Sequence, residues 1–348
     1  MLYQGIEKRN FGVLYDGSKA DLYTVSNGSM SFSVTNFGCT LTNICLPCAG
    51  GGKVDILLGR STLEGYASSN SSFGALVGRV ANRIGGASFQ LGGQKYCLDK
   101  NDGDNCLHSG FDRFEKKLWK AKRVKNEYGI GVQFKRKSPS GEQGMPGDLE
   151  IKVTYTLNEE NELRLDYFAS TNKPTPVNLT NHAYFNLKGW MGGSVEDLQL
   201  QIASSKFVEV DENLIPTGKL ISVDDEKAFD FRKPKLIGRD IAQTVGGYDH
   251  AFCIDEYDGS GVKEFAKLED PSTKRTMTVS TSLPAGQIYT GNFLGGIEGK
   301  NGYTHHERDA ICMETEGYPD APNHANFPSC IVEPTKPYHE ITVYKFGF

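Results

Sequence analysis

The sequence has no apolar run near the ~18 residues that a membrane-crossing helix needs, so no spanning segment is expected. Residues 1–13 mix Glu7, Lys8 and Arg9 with few apolar side chains and do not read as a secretion signal. There is no basic stripe of the kind a nucleic-acid partner requires. Lys and Arg total 38 against 43 Asp and Glu, a net charge of -5, and a neutral polar ligand fits that balance better than a polyanion. Common catalytic signatures are missing too. Gly50-Gly51-Gly52-Lys53 ends like a phosphate loop, but Val54 stands where Ser or Thr is needed and Pro47 where the first glycine belongs. No G-x-G-x-x-G joins a strand to a helix, which removes the main support for a dinucleotide fold. His306-Glu307 opens like a zinc-protease helix, yet Ala310 occupies the second histidine position. The G-x-S-x-G nucleophile elbow is absent. Covalent serine chemistry and metal hydrolysis are therefore disfavoured.

What is present is alternation. Leu149, Ile151, Val153, Tyr155 and Leu157 alternate with Glu150, Lys152, Thr154 and Thr156. After Asn158-Glu-Glu-Asn161 the pattern resumes at Leu163, Leu165, Tyr167 and Ala169, which reads as an antiparallel hairpin with one buried face. A second hairpin runs through Phe89 and Leu91, turns at Gly92-Gly93 and returns through Tyr96 and Leu98. Met30, Phe32 and Val34 mark another strand, and Ile130, Val132 and Phe134 a further one. Helical stretches are short, residues 61–67 and 239–244. With 348 residues, no linker and no repeat, the expectation is an all-β chain: one domain over residues 1–348, a sandwich of large antiparallel sheets. The eight cysteines are read as free thiols of a cytoplasmic protein. Cys45-Leu-Pro-Cys48 has no second pair at zinc-ribbon spacing.

Two segments carry chemistry. In Pro176-Val-Asn-Leu-Thr-Asn-His-Ala-Tyr-Phe-Asn-Leu187, a strand reading puts Asn178, Thr180, His182, Tyr184 and Asn186 on one face, polar but uncharged. Amides, hydroxyls and an imidazole suit a neutral polyhydroxylated ligand, or else a buried hydrogen-bond network. In Asp309-Ala-Ile-Cys-Met-Glu-Thr-Glu316, Cys312, Glu314 and Glu316 share a face, the two carboxylates roughly 7 Å apart. That face is either a solvated acidic edge or a constrained site in which Glu314 serves as a general base. Further candidates are Asn82 and Arg83 in Gly78-Arg-Val-Ala-Asn-Arg-Ile84, His108 in a turn-rich loop, and Asp249 in Gly246-Gly-Tyr-Asp-His250. Arg83 is read either as a fork to sugar hydroxyls or as half of a structural ion pair.

These blocks, together with Leu107-His-Ser-Gly110, Asp211-Glu-Asn-Leu-Ile-Pro-Thr-Gly218, Gln287-Ile-Tyr-Thr-Gly-Asn292 and Pro319-Asp-Ala-Pro-Asn323, resemble the aldose 1-epimerase family in order and over nearly the whole chain. The resemblance implies a single-domain β-sandwich that interconverts the α and β anomers of hexoses such as galactose and glucose. His182 matches the general acid and Glu314 the general base. Asn82, Arg83, His108, Asp249 and Gln287 match sugar-contacting positions. The implied partner is a small aldose, with no membrane or nucleic acid, and the chain a monomer or weak homodimer. Opening a hemiacetal ring needs one base at the C1 hydroxyl and one acid at the ring oxygen, so neither cofactor nor metal is required. Glu314 is expected ionised and His182 protonated, its charge supported by nearby carboxylates. The family usually has Gln where this chain has Glu316, and Cys106 and Ser109 also depart from commoner residues. A second carboxylate beside Glu314 is expected to raise the base's pKa and to act on the acidic limb of the pH–rate profile. Two other readings remain. A glycoside hydrolase would pair Glu314 with Glu316 or Asp249 but would want more groove aromatics than Trp119 and Trp190. A non-catalytic sugar sensor would need the cleft and no matched acid and base.

Overall fold

In the computed structural model, which describes residues 5–348, nearly all regular structure is antiparallel β. The largest sheet has nine strands. Four are consecutive, Lys120–Asn126, Gly129–Ser138, Leu149–Leu157 and Glu162–Thr171, and the C-terminal strand Tyr338–Gly347 comes next. Thr276–Thr281, Lys263–Glu269, Gln199–Ile202 and Lys235–Leu236 complete it. A six-stranded sheet runs in the order Tyr184–Phe185, Ile311–Glu316, Ala285–Tyr289, Asp249–Cys253, Lys206–Val210 and Pro216–Ser222. A five-stranded N-terminal meander spans Ile6–Val13 to Lys53–Asp55.

Alternation places the core. Val153, Tyr155 and Tyr167 of the large sheet share one buried cluster with Phe252, Ile288, Ile311 and Met313 of the six-stranded sheet. Phe185 and Tyr344 meet edge-on across the two, with centroids 5.3 Å apart. Each such side chain removed from water contributes roughly 1.5–3 kcal/mol, and a one-residue slip of a strand would turn the whole set outward. The Leu149–Leu157 and Glu162–Thr171 hairpin forms in the expected register. Its turn is closed by Asn158 Oδ1, which accepts from the amides of Glu160 and Glu162 at 3.0 and 2.9 Å. Gly92 and Gly93 carry φ of 58° and 78°, the left-handed pair a two-residue turn demands.

One helical expectation holds, and three other expectations change. The first helical stretch is real and runs Leu63–Ser68 behind an N-cap, Thr62 Oγ1 accepting from the Gly65 amide at 3.1 Å. Residues 239–244 instead form two 3₁₀ turns, Ile237–Arg239 and Ile241–Gln243, because Asp240 leaves the helical well at φ -121° and ψ 4°. Thr154 and Thr156, read as solvent-facing, are buried. The segment Pro176 to Leu187 is not one strand with a core face and an open face. It breaks into Thr175–Pro176, Thr180–His182 and Tyr184–Phe185, which pair in turn with Ile331–Val332, Ala75–Val77 and Ile311–Glu316. Every residue from 175 to 187 is buried, because the segment threads between sheets rather than lying on one.

Candidate active site

Glu314 sits on an interior strand. Ile311–Glu316 is flanked by Ala285–Tyr289 and Tyr184–Phe185. Ile311 and Met313 are anchored in the main core, so Cys312, Glu314 and Glu316 face the other way. Both carboxylates are buried, Glu314 4% and Glu316 1% exposed, which rules out the solvated acidic edge. Gln287 is the register partner of Glu314. One strand further, Asp249 Oδ1 accepts from Gln287 Nε2 at 2.6 Å.

Two loops close the opposite wall. Asn82 and His108 both hold left-handed backbones, φ 63° and 52°, a conformation that costs a non-glycine residue on the order of 1 kcal/mol or more. They stabilise each other. The Asn82 amide donates to His108 Nδ1 at 3.1 Å, and the His108 amide donates to the Asn82 carbonyl at 3.0 Å. Since Nδ1 of His108 accepts, the proton of its neutral ring sits on Nε2. Asn82 Nδ2 donates to Glu316 Oε1 at 2.9 Å. Of the two readings of Arg83, the structure contains the ion pair: Nε donates to Asp102 at 2.8 Å, and Nη1 stands 3.9 Å from Asp249.

His182 closes the arrangement. Its ring stacks on Tyr184 at 4.8 Å and meets His108 edge-on at 5.4 Å. Nε2 lies 3.6 Å from Glu314 Oε1, while Nδ1 lies 3.5 Å from the Cys312 thiol. Asn82, Arg83, His108, His182, Asp249, Gln287 and Glu314 all line one cleft of about 220 Å³. Glu316 stands behind Asn82 and does not line it. Arg113, Tyr289 and Phe293 also line the cleft and were missed by the sequence reading. Tyr289 was within reach of it, since it shares the strand face of Gln287 two residues earlier. Arg113 carries no local signal.

The electrostatics correct one expectation. Burial pushes the His182 imidazolium down to about 4, with the Arg113 charge adding to the effect. Burial raises Glu314 well above the carboxylate range, and the negative charges of Glu316 and Asp249 raise it further. Burial thus opposes charge on both members of the pair and favours imidazole and carboxylic acid over an ion pair. Glu316 is pushed up to about 8 by burial, against the Asn82 donor that favours its ionised form. Asp249 is raised by burial, opposed by Arg83 and Gln287. His108 is held well below the ordinary imidazole range chiefly by burial, with the Arg113 and Arg83 charges adding to the effect. Among the described residues, His182, Cys312 and Glu314 are the set of metal-ligand types that comes within 4.8 Å. The imidazole, however, turns Nδ1 to the sulfur and Nε2 to the carboxyl, so the two partners address different edges of the ring.

A β-sandwich whose cleft sets one imidazole against one carboxyl, among amides, a guanidinium and a second carboxyl suited to sugar hydroxyls, defines an acid–base enzyme of carbohydrates. Comparison narrows the class. The aldose 1-epimerase family model matches residues 21–345. A galactose mutarotase of Mus musculus is 40% identical over 334 residues, covering 95% of each chain. An aldose 1-epimerase of Escherichia coli is 35% identical over 339 residues, covering 95% of this chain and 96% of its own. Among solved structures, an aldose epimerase homologue from C. elegans superposes with a TM-score of 0.84 at 30% identity, covering 92% of this chain and 96% of its own. A galactose 1-epimerase from Lactobacillus acidophilus superposes with a TM-score of 0.85 at 26% identity, covering 98% of both. The chain belongs to the aldose 1-epimerase family, and it is an isomerase. Hydrolase and sensor readings fall with that assignment.

Proposed function

We propose that the enzyme interconverts the anomers of free hexoses such as galactose and glucose, with Glu314 as base at the C1 hydroxyl and His182 as acid at the ring oxygen. The observation that carries this reading is the 3.6 Å approach of His182 Nε2 to Glu314 Oε1 within the cleft. The pair holds one mobile proton, whether written as imidazole and carboxylic acid or as imidazolium and carboxylate. Burial favours the neutral form. Sugar hydroxyls that donate to the carboxylate favour the charged form, and the proton then moves to His182. Glu314 takes the C1 hydroxyl proton, His182 protonates the ring oxygen, and the C1–O5 bond opens to the aldehyde. Rotation about C1–C2 and reclosure on the other carbonyl face return both protons. Asn82, Arg83, His108, Asp249 and Gln287 orient the hydroxyls, which is a positional contribution to rate. The steps balance with neither metal nor cofactor.

The seven residues of this scheme come from segments spread over residues 82–314 and line one cleft, which supports a single catalytic domain over residues 1–348; the chain is read as a monomer or weak homodimer. All eight cysteines are free thiols, which supports a reducing, cytoplasmic setting; no helix of the described residues is long and apolar enough to cross a membrane. The test is polarimetry or NMR on freshly dissolved α-glucose and α-galactose. His182→Asn and Glu314→Gln should each lower kcat by ~10²–10⁴-fold. Wild-type exchange no faster than buffer would overturn the proposal, and release of an aryl aglycone would point to hydrolysis instead.

A further inference from the structure

On the outward face of the nine-stranded sheet three lysines stand side by side. Lys120 is the register partner of Lys135, Lys135 that of Lys152, and Lys152 in turn opposes Phe168. Directly opposed residues share a face with Cβ atoms ~5 Å apart, and like charges so placed repel. Nearby, Arg136 pairs with Glu142 and Lys137 with Asp148, while the three lysines of the row have no ion-pair partner among the described residues. None of the chain's 43 Asp and Glu stands on this row, although Glu150, two residues before Lys152, also lines the groove beside it.

Edge protection explains only part of it. Lysine on an edge strand discourages pairing with other chains, and Lys120–Asn126 is an edge of this sheet. Lys135 and Lys152 lie on interior strands whose two sides are already paired. The row also lies in a groove of about 510 Å³, inside the ~300–1,000 Å³ range of small-molecule sites. Phe168 closes one end. Lys152 Nζ sits 4.6 Å from its centroid and the His339 ring meets it edge-on, so little of its face is left for stacking. Against the one carboxylate of Glu150, the three lysines without ion-pair partners leave the groove net positive. At a strand spacing of ~4.8 Å the row is ~10 Å long, the reach of two or three linked anionic groups and too short for a nucleic-acid backbone.

We infer that this groove binds a compact, multiply phosphorylated small molecule, whose phosphate oxygens bridge Lys120, Lys135 and Lys152. The site shares no lining residue with the catalytic cleft, and its occupation is a property separate from anomer exchange. Calorimetric titration of the whole enzyme with sodium tripolyphosphate, with inorganic phosphate as a second arm, tests it. Tripolyphosphate should bind at low salt, more tightly than phosphate and more weakly as salt rises. Lys135→Gln/Lys152→Gln should weaken binding at least ~10-fold while anomer exchange stays unchanged, and its unliganded Tm should equal or exceed that of the wild type, since repulsion is relieved. No binding at low salt, or equal binding by the double variant, would overturn the site. Binding of poly-glutamate without binding of tripolyphosphate would overturn it in favour of an acidic protein surface.

Discussion

Glu316 is the residue with the most to say about this particular enzyme. It is buried behind Asn82, pushed up to about 8, and adds to the rise at Glu314. Its effect falls on the opposite limb of the pH–rate profile from the one the sequence led us to expect. Below neutrality Glu316 is still protonated and uncharged, so it cannot repel the Glu314 carboxylate there. Its charge appears as pH rises through about 8, where it holds the last proton on the His182–Glu314 pair. Glu316→Gln should therefore move the basic limb of kcat/KM downwards and leave the acidic limb in place. A shift of the acidic limb in a full pH profile would show Glu316 ionised well below 7.

At the scale of elements, the strand Ile311–Glu316 converts packing into chemistry. Met313 is fully buried and neighbours Glu314 in the chain, so its core contacts fix how the carboxyl presents itself. Met313→Ala should destabilise by ~2–5 kcal/mol in denaturant titrations and lower kcat more than KM, since the base loses its aim before the sugar loses its contacts. A variant that lost stability with kcat intact would separate the two roles. This strand was readable in advance, because Ile311 and Met313 alternate with Cys312, Glu314 and Glu316 and the period survives in the fold. The hairpin of Leu149–Leu157 and Glu162–Thr171 was readable for the same reason. The segment from Pro176 to Leu187 was not, because a chain that threads between sheets is buried on both sides and gives no alternation that reports a partner. His182 was still found there, since an uncharged polar set stands out in any conformation. Arg113 and the cross-strand row of Lys120, Lys135 and Lys152 depend on register and loop path, and neither is written in local sequence.

Across the whole molecule, buried acids and buried imidazoles set opposing slopes of stability against pH. Glu316 rises from 4.5 to about 8, so the stability it contributes is full below 4.5 and is lost as pH climbs towards 8. His182 and His250 each fall from 6.5 to about 4, so the stability they contribute is present above 6.5 and lost as pH drops towards 4. Between 4.5 and 6.5 the two slopes oppose each other, and above 6.5 the acids act alone. Thermal unfolding across this range should show Tm highest near 6.5 and falling towards 8, with a shallower alkaline decline in Glu316→Gln. A Tm still rising from 7 to 8 would contradict the buried, protonated Glu316. One last consequence follows from the segment that pairs with three partners in succession. A floor hydrogen-bonded to Ile331–Val332, Ala75–Val77 and Ile311–Glu316 has no hinge of its own and cannot open without the sheets around it. Gating, the admission and release of sugar, is left to the rim, where Phe293 lines the cleft with 69% of its surface exposed.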